Sequence, residues 1–418
     1  MEYFENEIKP QRAFLISVDN GEFDAESSMA ELYDLAESAG AEVAGALIQK
    51  LEKPVSATYI GSGRLEELVE VCASQEIDLI IADNELTPNQ IRNIEDATDV
   101  RVIDRTMLIL DIFALRANSK EGKLQVEIAQ LRYMLPRLTG KGVQMSRLGG
   151  GIGTRGPGET KLETDRRHIR RKIEALSEQL SDIERHREQL RKRRKKDGVI
   201  TTAIVGYTNA GKSTLMNCLT DAGVLEKDQL FATLDPTSRA LKLPNGVTVM
   251  LIDTVGLVRR LPHHLVKAFR STLEEAASAD IILNVCDASS DEALLHLEVT
   301  KDLLESLGCA DTPVITVFNK SDLVNNGDFI PDVSNAVHIS AKKGQGIEKL
   351  LAAIEDNLPV RVKRVKLMIP FAKAGLIAEI REKGTLISEE YTAEGIAVDS
   401  VVDEVLYAKV REYVTEVR

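Results

Sequence analysis

TTAIVGYTNAGKSTLMNCLT, residues 201–220, sets an apolar β-branched run against a helical pattern, with a glycine-bounded turn between them. The turn, Gly206-Tyr-Thr-Asn-Ala-Gly-Lys212-Ser213, has the spacing G-x-x-x-x-G-K-[ST]. Glycines let backbone N–H groups turn inward around phosphates, Lys212 reaches the β- and γ-phosphates, and the Ser213 hydroxyl ligates Mg²⁺. A strand before the pattern and a helix after it form the context in which it reads as a nucleotide site and not as a chance turn.

Working outward, three more segments follow in the order this chemistry needs. Asp253-Thr-Val-Gly256 ends the apolar run VTVMLID, where a strand-end carboxylate can hold Mg²⁺ through water and Gly256 can follow the γ-phosphate. Asn319-Lys-Ser-Asp322 closes PVITVFN, and here base identity is set. A carboxylate accepts from guanine N1–H and from its 2-amino group, whereas adenine offers an acceptor at N1 and nothing at position 2. Stranding that carboxylate costs about 10⁴-fold in discrimination, so Asp322 argues for GTP over ATP. Lys320 would lie along the base plane, Asn319 would tie this loop to the phosphate loop, and a backbone N–H of Ser340-Ala341-Lys342 would meet the guanine carbonyl. Between the first two segments lies FATLDPTSR, a switch loop in which Thr233, or else Thr237, completes the Mg²⁺ shell.

The expected nucleotide-binding residues are therefore Gly206, Tyr207, Thr208, Asn209, Ala210, Gly211, Lys212, Ser213 and Thr214, then Asp253, Thr254, Val255 and Gly256, then Asn319, Lys320, Asp322, Ser340, Ala341 and Lys342. Lys212, Thr233, Gly256 and Asn209 are the catalytic candidates; Ser213, Thr233 and Asp253 are the metal candidates.

The rest of the 418 residues divides by pattern. Residues 1–118 alternate the strands RAFLISV, EVAGALI, DLIIAD and VRVID with the helices AESSMAELYDLAESAG and GRLEELVEVCASQE, a small parallel α/β domain. Residues 119–197 read as an antiparallel helical hairpin with a glycine-rich basic tip, SRLGGGIGTRGPGET. Its second helix carries a heptad seam through Ile169, Ile173, Leu176, Leu180, Ile183 and Leu190 that Arg187 interrupts. Residues 198–361 form the nucleotide domain, and 362–418 a small α+β domain with a final helix over VLYAKVREYV. The fold class is α/β.

Net charge is −13, yet residues 132–196 hold 19 Lys/Arg against 8 Asp/Glu, a one-signed arm in an acidic protein. The arm suggests an RNA partner. The absence of aromatics from 140–196 favours folded RNA read through its backbone, against the alternative of an ordinary solvated helix. The four cysteines, Cys72, Cys218, Cys286 and Cys309, show no C-x-x-C pair, so neither a zinc site nor a disulfide framework is expected. With no apolar run of membrane-spanning length and an acidic N-terminus, the chain reads as cytoplasmic, peripheral membrane association being left open.

TYIGSGRLEEL, SRLGGGIGTRGPGETKLETDRR, GYTNAGKSTLMN, LFATLDPTSR, DTVGLVRRLP, NKSD and SAKKGQGI together resemble the HflX family of ribosome-associated GTPases, over all four regions of the chain. The resemblance implies GTP hydrolysis to GDP and phosphate with Mg²⁺. It also implies a monomer binding the large (50S) ribosomal subunit and its 23S rRNA through the N-terminal and helical domains, with the hairpin tip near the peptidyl transferase centre. Subunits would be separated under stress, hydrolysis resetting the factor. Thr233, twenty residues after Ser213, stands where related bacterial GTPases have their switch threonine.

Leu257 occupies the position where many GTPases carry a water-orienting Gln; an aliphatic side chain cannot hydrogen-bond water, so intrinsic hydrolysis should be slow. Family members are similarly hydrophobic there, more often aromatic. In related GTPases an Asn at the place of Asn209 ligates K⁺, which supplies transition-state charge; loop-stabilising hydrogen bonds are the other reading of Asn209. Two rival functions remain: a nucleotide-gated RNA-binding or ribosome-assembly module, and a tRNA-modification GTPase, for which the EYVTEVR segment lacks a reactive Cys.

Overall fold

The computed structural model describes residues 10–138, 161–220, 231, 237–254, 256–260, 275–324, 333, 336–359 and 362–417. The chain forms two units: Met1–His186 with Gln229–Leu234 and Arg260–Phe269, and Arg187–Asp228 with Asp235–Arg259 and Arg270–Arg418. The glycine-rich tip, Thr233 and Val255 lie outside the described residues.

In the first unit β1 (Arg12–Asp19), α1 (Ala25–Ser38), β2 (Glu42–Lys50), α2 (Ser62–Ser74), β3 (Leu79–Ala82), α3 (Pro88–Thr98), β4 (Arg101–Asp104) and α4 (Arg105–Arg116) alternate. They build a four-stranded sheet in the order β2-β1-β3-β4, every pair parallel. Burial of Phe14, Ile16, Val18, Ile80, Ala82 and Val102 under Leu68 and Ile94 makes its core. Two helices, α3 and α4, escaped the periodicity reading for opposite reasons. PNQIRNIEDAT in α3 is polar and buries Gln90 and Ile94, its start being set by Thr87, whose side chain and Gln90 close a capping box ahead of Pro88. RTMLILDIFALR in α4 is apolar almost all round and merges with the strand before it.

Helix α5 (Lys120–Met134) was expected as one limb of a hairpin; its buried face packs on α4 as well, where Gln130 donates to Asp111 and Tyr133 to Asp104. Helix α6 (Lys161–Lys196) meets α5 through the Lys172–Glu127 ion pair at 2.7 Å, and Arg166 donates to the Leu138 carbonyl at 3.2 Å. Its seam is unevenly covered. Ile169 is 3% exposed and Leu190 45%, so the heptad pattern packs at its start and opens toward the basic end.

The second unit holds β5 (Ile200–Gly206), α7 (Lys212–Thr220), β6 (Thr237–Lys242), β7 (Thr248–Asp253), β8 (Ile281–Asp287), α8 (Ala293–Ser306), β9 (Val314–Asn319), β10 (Ala336–His338) and α9 (Ile347–Asp356). The sheet order is β10-β9-β8-β5-β7-β6, parallel throughout except for β6. Strands buried on both faces read as continuous apolar runs, which is why TTAIVG and IILNVCD were legible without alternation. The chain then forms β11 (Val362–Ile369), α10 (Gly375–Lys383), β12 (Thr385–Tyr391), β13 (Ile396–Asp403), α11 (Glu404–Val410) and β14 (Val414–Val417), an antiparallel sheet ordered β12-β13-β11-β14. Here the sequence reading ran the last helix through Val414, whereas α11 ends at Val410 and β14 pairs with β11, Lys366 meeting Glu416 at 2.6 Å. An open edge on β11 outweighs the local helical pattern.

Candidate nucleotide site

Strands β5, β7, β8 and β9 run parallel, so their C-terminal ends, Gly206, Asp253, Asp287 and Asn319, open on the same edge of the sheet, the crevice in which α/β folds bind ligands. Gly206 and Gly211 at the two corners of the phosphate loop have φ of +148° and +87°, and a Cβ on Gly211 would sit 2.3 Å from Asn319 Nδ2. Asn209 between them has φ of 59°, a left-handed conformation that Asn tolerates better than most side chains. That conformation supports the loop-structural reading of Asn209 beside the K⁺ reading.

Lys212 opens α7 with its side chain buried, the ammonium donating to the carbonyls of Gly206 at 3.1 Å and Tyr207 at 2.8 Å. Burial pulls this ammonium down to about 8, against the Asp253 carboxylate, which favours the charged form. An incoming phosphate could replace the two carbonyls and restore the charge. Ser213 Oγ donates to Asp253 Oδ2 at 3.2 Å, so a hydroxyl and a fully buried carboxylate lie side by side. Two hard oxygen donors of this kind suit Mg²⁺. Thr214 follows on α7, and Thr254 Oγ1 donates to the Ile204 carbonyl at 2.8 Å, anchoring the strand end that carries Asp253.

Leu257 does something its position alone did not reveal. Its backbone zips to the phosphate loop, the N–H donating to Gly206 at 3.1 Å and the carbonyl accepting from Thr208 N–H at 2.8 Å, while the side chain is buried. Gly256 is packed so closely that a Cβ there would approach Thr208 Cγ2 to 2.7 Å. Tyr207 stacks on His296 with centroids 3.8 Å apart, and its hydroxyl accepts from the Arg259 N–H at 2.6 Å; Arg259 pairs with Glu292. Tyr207 belongs to the phosphate-loop motif and Arg259 to the DTVGLVRRLP segment, but no sequence pattern links either to His296. Phe231, the first residue of the expected switch loop, and Arg260, just after Arg259, both belong to the first unit. Phe231 meets Phe113 edge-on at 4.6 Å, and Arg260 pairs with the buried Asp83 at 2.5 Å while its guanidinium lies 3.9 Å over Phe23.

At the base end, Asn319 Nδ2 donates to the Ala210 carbonyl at 2.9 Å and its Oδ1 accepts from Ala341 N–H at 2.9 Å, so one side chain joins the phosphate loop, the Asn319–Asp322 turn and the Ser340–Ala341 turn. Lys320 Nζ pairs with Asp287 at 2.7 Å. A hydrogen bond with Ser340 holds the Asp322 carboxyl below the usual carboxylate range against partial burial, and Lys343 adds to it from 3.3 Å. That cation is one residue beyond Lys342, which is exposed. All the described candidates therefore gather on one edge, Thr233 and Val255 lying outside the described residues. Among the described residues no helix is long and apolar enough to cross a membrane.

Three family models cover most of the chain: "GTP-binding GTPase N-terminal" over residues 26–114, "GTP-binding GTPase Middle Region" over 116–194 and "50S ribosome-binding GTPase" over 201–320. GTPase HflX of Caldanaerobacter subterraneus subsp. tengcongensis is 50% identical over 405 residues, 97% of this chain and 94% of that protein. GTPase HflX of Escherichia coli is 42% identical over 347 residues, 81% of each. Among solved structures, a GTP-binding protein from Sulfolobus solfataricus in complex with GDP is 26% identical, covers 83% of this chain and 98% of its own, and has a TM-score of 0.46. On this sequence identity over nearly the whole length, the chain belongs to the HflX family of GTPases.

Proposed function

We propose that this GTPase uses its nucleotide state to control attachment to the large ribosomal subunit, through 23S rRNA held by the basic arm, and that the GTP-bound form separates ribosomal subunits under stress. The observation that supports the nucleotide half is Asn319, which bonds the phosphate loop at Ala210 and the turn at Ala341 at once, as a link between phosphate binding and guanine recognition would require. In this reading Lys212 and the backbone of Gly206 to Thr214 hold the phosphates, and Ser213, Asp253 and Thr233 surround Mg²⁺, which when bound neutralises charge on the β- and γ-phosphates. Gly256 follows the γ-phosphate, with Thr254 and Val255 completing the same segment of the site. Asp322 reads guanine, with Lys320 along the base and Ser340, Ala341 and Lys342 at its carbonyl. K⁺ at Asn209 is a finer part of the same proposal: exchanging Na⁺ for K⁺ at constant ionic strength raises turnover, and Asn209→Ala erases the gain.

The ribosomal half is supported by the 19 Lys/Arg against 8 Asp/Glu in residues 132–196 and by the family model named for 50S binding, which matches the nucleotide domain. Four domains, 1–118, 119–197, 198–361 and 362–418, acting as one monomer in the cytoplasm, complete the reading. GTP turnover measured with and without purified large subunits tests it. Leu257 leaves the attacking water without a side-chain partner, so hydrolysis is slow alone and accelerated by large subunits; identical rates would reduce the chain to a binding module whose hydrolysis is incidental.

A further inference from the structure

The arginine that interrupts the α6 heptad seam finds its partner on the nucleotide domain. Glu275 is buried, 5% exposed, and three guanidiniums of α6 converge on its carboxylate: Arg187 Nη2 at 2.9 Å and Arg191 Nε at 3.0 Å on Oε1, and Arg194 Nη2 at 3.4 Å on Oε2. Residues 187, 191 and 194 share one helix face, so the clasp uses two full turns of α6. Burial pushes the Glu275 carboxyl up, and Arg187 and Arg191 more than reverse this, leaving it below the usual range. Removing the carboxylate breaks all three contacts at once, which loosens the hold on α6 there.

Two contacts relate the clasp to strands that lead to the nucleotide site. Arg194 Nη1 also reaches Met250 Sδ at 3.4 Å, in the strand β7 that ends at Asp253. Five residues past Glu275, the Asp280 carboxylate accepts from the N–H and hydroxyl of Thr201, at 2.8 and 3.0 Å, in the strand β5 that leads into the phosphate loop.

We propose that Glu275 is a positioning residue: the joint through which the nucleotide site sets the seat of α6, making the basic arm's engagement depend on the bound nucleotide. The ribosomal consequence rests on the function proposed above; the joint itself does not. Coupling of this kind is reciprocal, so large-subunit binding at the arm shifts GTP affinity by the same factor.

Hydrogen exchange of the full-length protein with GDP or a non-hydrolysable GTP analogue tests the joint without ribosomes. In the parent, amide protection across residues 187–196 differs between the two nucleotides; in Glu275→Gln the difference disappears while intrinsic GTP turnover stays within about twofold, since Glu275 touches no nucleotide-site residue named above. Arg187→Gln combined with Arg191→Gln loosens the same clasp from the other side, reproduces the loss, and serves where Glu275→Gln fails to fold. Arg191→Lys keeps the charge without the Nε donor and gives an intermediate effect. Nucleotide-independent exchange in the parent, or an undiminished difference in the variants, overturns the proposal. In large-subunit binding, the preference for the GTP analogue over GDP, roughly 5- to 150-fold for a coupling of ordinary strength, falls to within about twofold in Glu275→Gln. A parent that shows the exchange difference and binds no large subunits would remove the ribosomal reading and leave the joint standing.

Discussion

Two parallel sheets in this molecule end in acidic residues, and they use them in opposite ways. At the C-terminal edge of the N-terminal sheet, Asp83 is bonded to Ser28 Oγ at 2.8 Å and Arg105 at 3.0 Å, and Arg105 also pairs with Glu31. Asp104 accepts from Tyr133, from Leu86 N–H at 3.1 Å and from Met107 N–H at 3.0 Å, capping α4. Burial raises the Asp104 carboxyl, and these donors hold it down in part. The carboxylates there are consumed by the fold. At the same edge of the second sheet, Asp253 and Asp322 lie beside loops whose positive-φ glycines bring backbone close, and in the function proposed above their present contacts with Ser213 and Lys343 give way to Mg²⁺ and the base. The shared architecture supplies the crevice; the loops determine whether its acids are structural or chemical.

The sharpest way to break this contrast is at the base end. Asp322→Asn presents an N–H to the C2 carbonyl of xanthine and loses an acceptor for guanine, so preference for GTP over XTP should fall by up to about 10⁴-fold. Competition binding of the two nucleotides measures it, and parent-like discrimination would free Asp322 from its role. Next in size, Lys212→Ala should lower turnover by about 10² to 10³-fold, leaving the N-terminal sheet folded by circular dichroism and denaturant titration. Unchanged turnover would remove the phosphate-loop assignment.

The complementary change belongs to the other sheet. Arg105→Ala strips Asp83 and Glu31 of a buried cation, and because Asp83 keeps Arg260 the loss should be about 3 kcal/mol, at the low end for a broken buried pair. Denaturant unfolding should show it while GTP affinity stays at the parent value; a fall in affinity of the same size would mean that the first sheet's acids are not merely structural.

The smallest effect is a pH dependence. In the nucleotide-free protein Lys212 loses its proton as pH rises through about 8, and phosphate oxygens favour the charged form. GTP binding above pH 8 must therefore take up a proton, and affinity should drop by at most about tenfold per pH unit, with no such loss below pH 7. Calorimetric titrations in buffers of different ionisation enthalpy read the proton uptake directly; pH-independent affinity from 7 to 9 would show Lys212 charged throughout.

Much of the site was legible because its chemistry depends on contiguous residues at strand ends: GYTNAGKS, DTVG and NKSD each sit where a buried apolar run stops. What escaped is what tertiary contact creates. Tyr207 reads only as one position of the phosphate loop; its stacking on His296 and its bond from Arg259 come from other segments. Lys343 differs from Lys342 by one position that only the turn closed by Ser340 and Gln345 distinguishes. Arg187 looked like a flaw in a hydrophobic seam, since a heptad pattern cannot show that an acid 88 residues downstream lies opposite. The polar helix α3 and the terminal strand β14 were hidden for the same reason: capping and edge pairing, not periodicity, make them.

The most direct test of the account is co-sedimentation of the full-length protein with purified large ribosomal subunits, in a non-hydrolysable GTP analogue and in GDP at the same salt. The account predicts that the protein pellets with large subunits in the analogue and remains largely in the supernatant in GDP. Equal partition in the two nucleotides, or none in either, would contradict it.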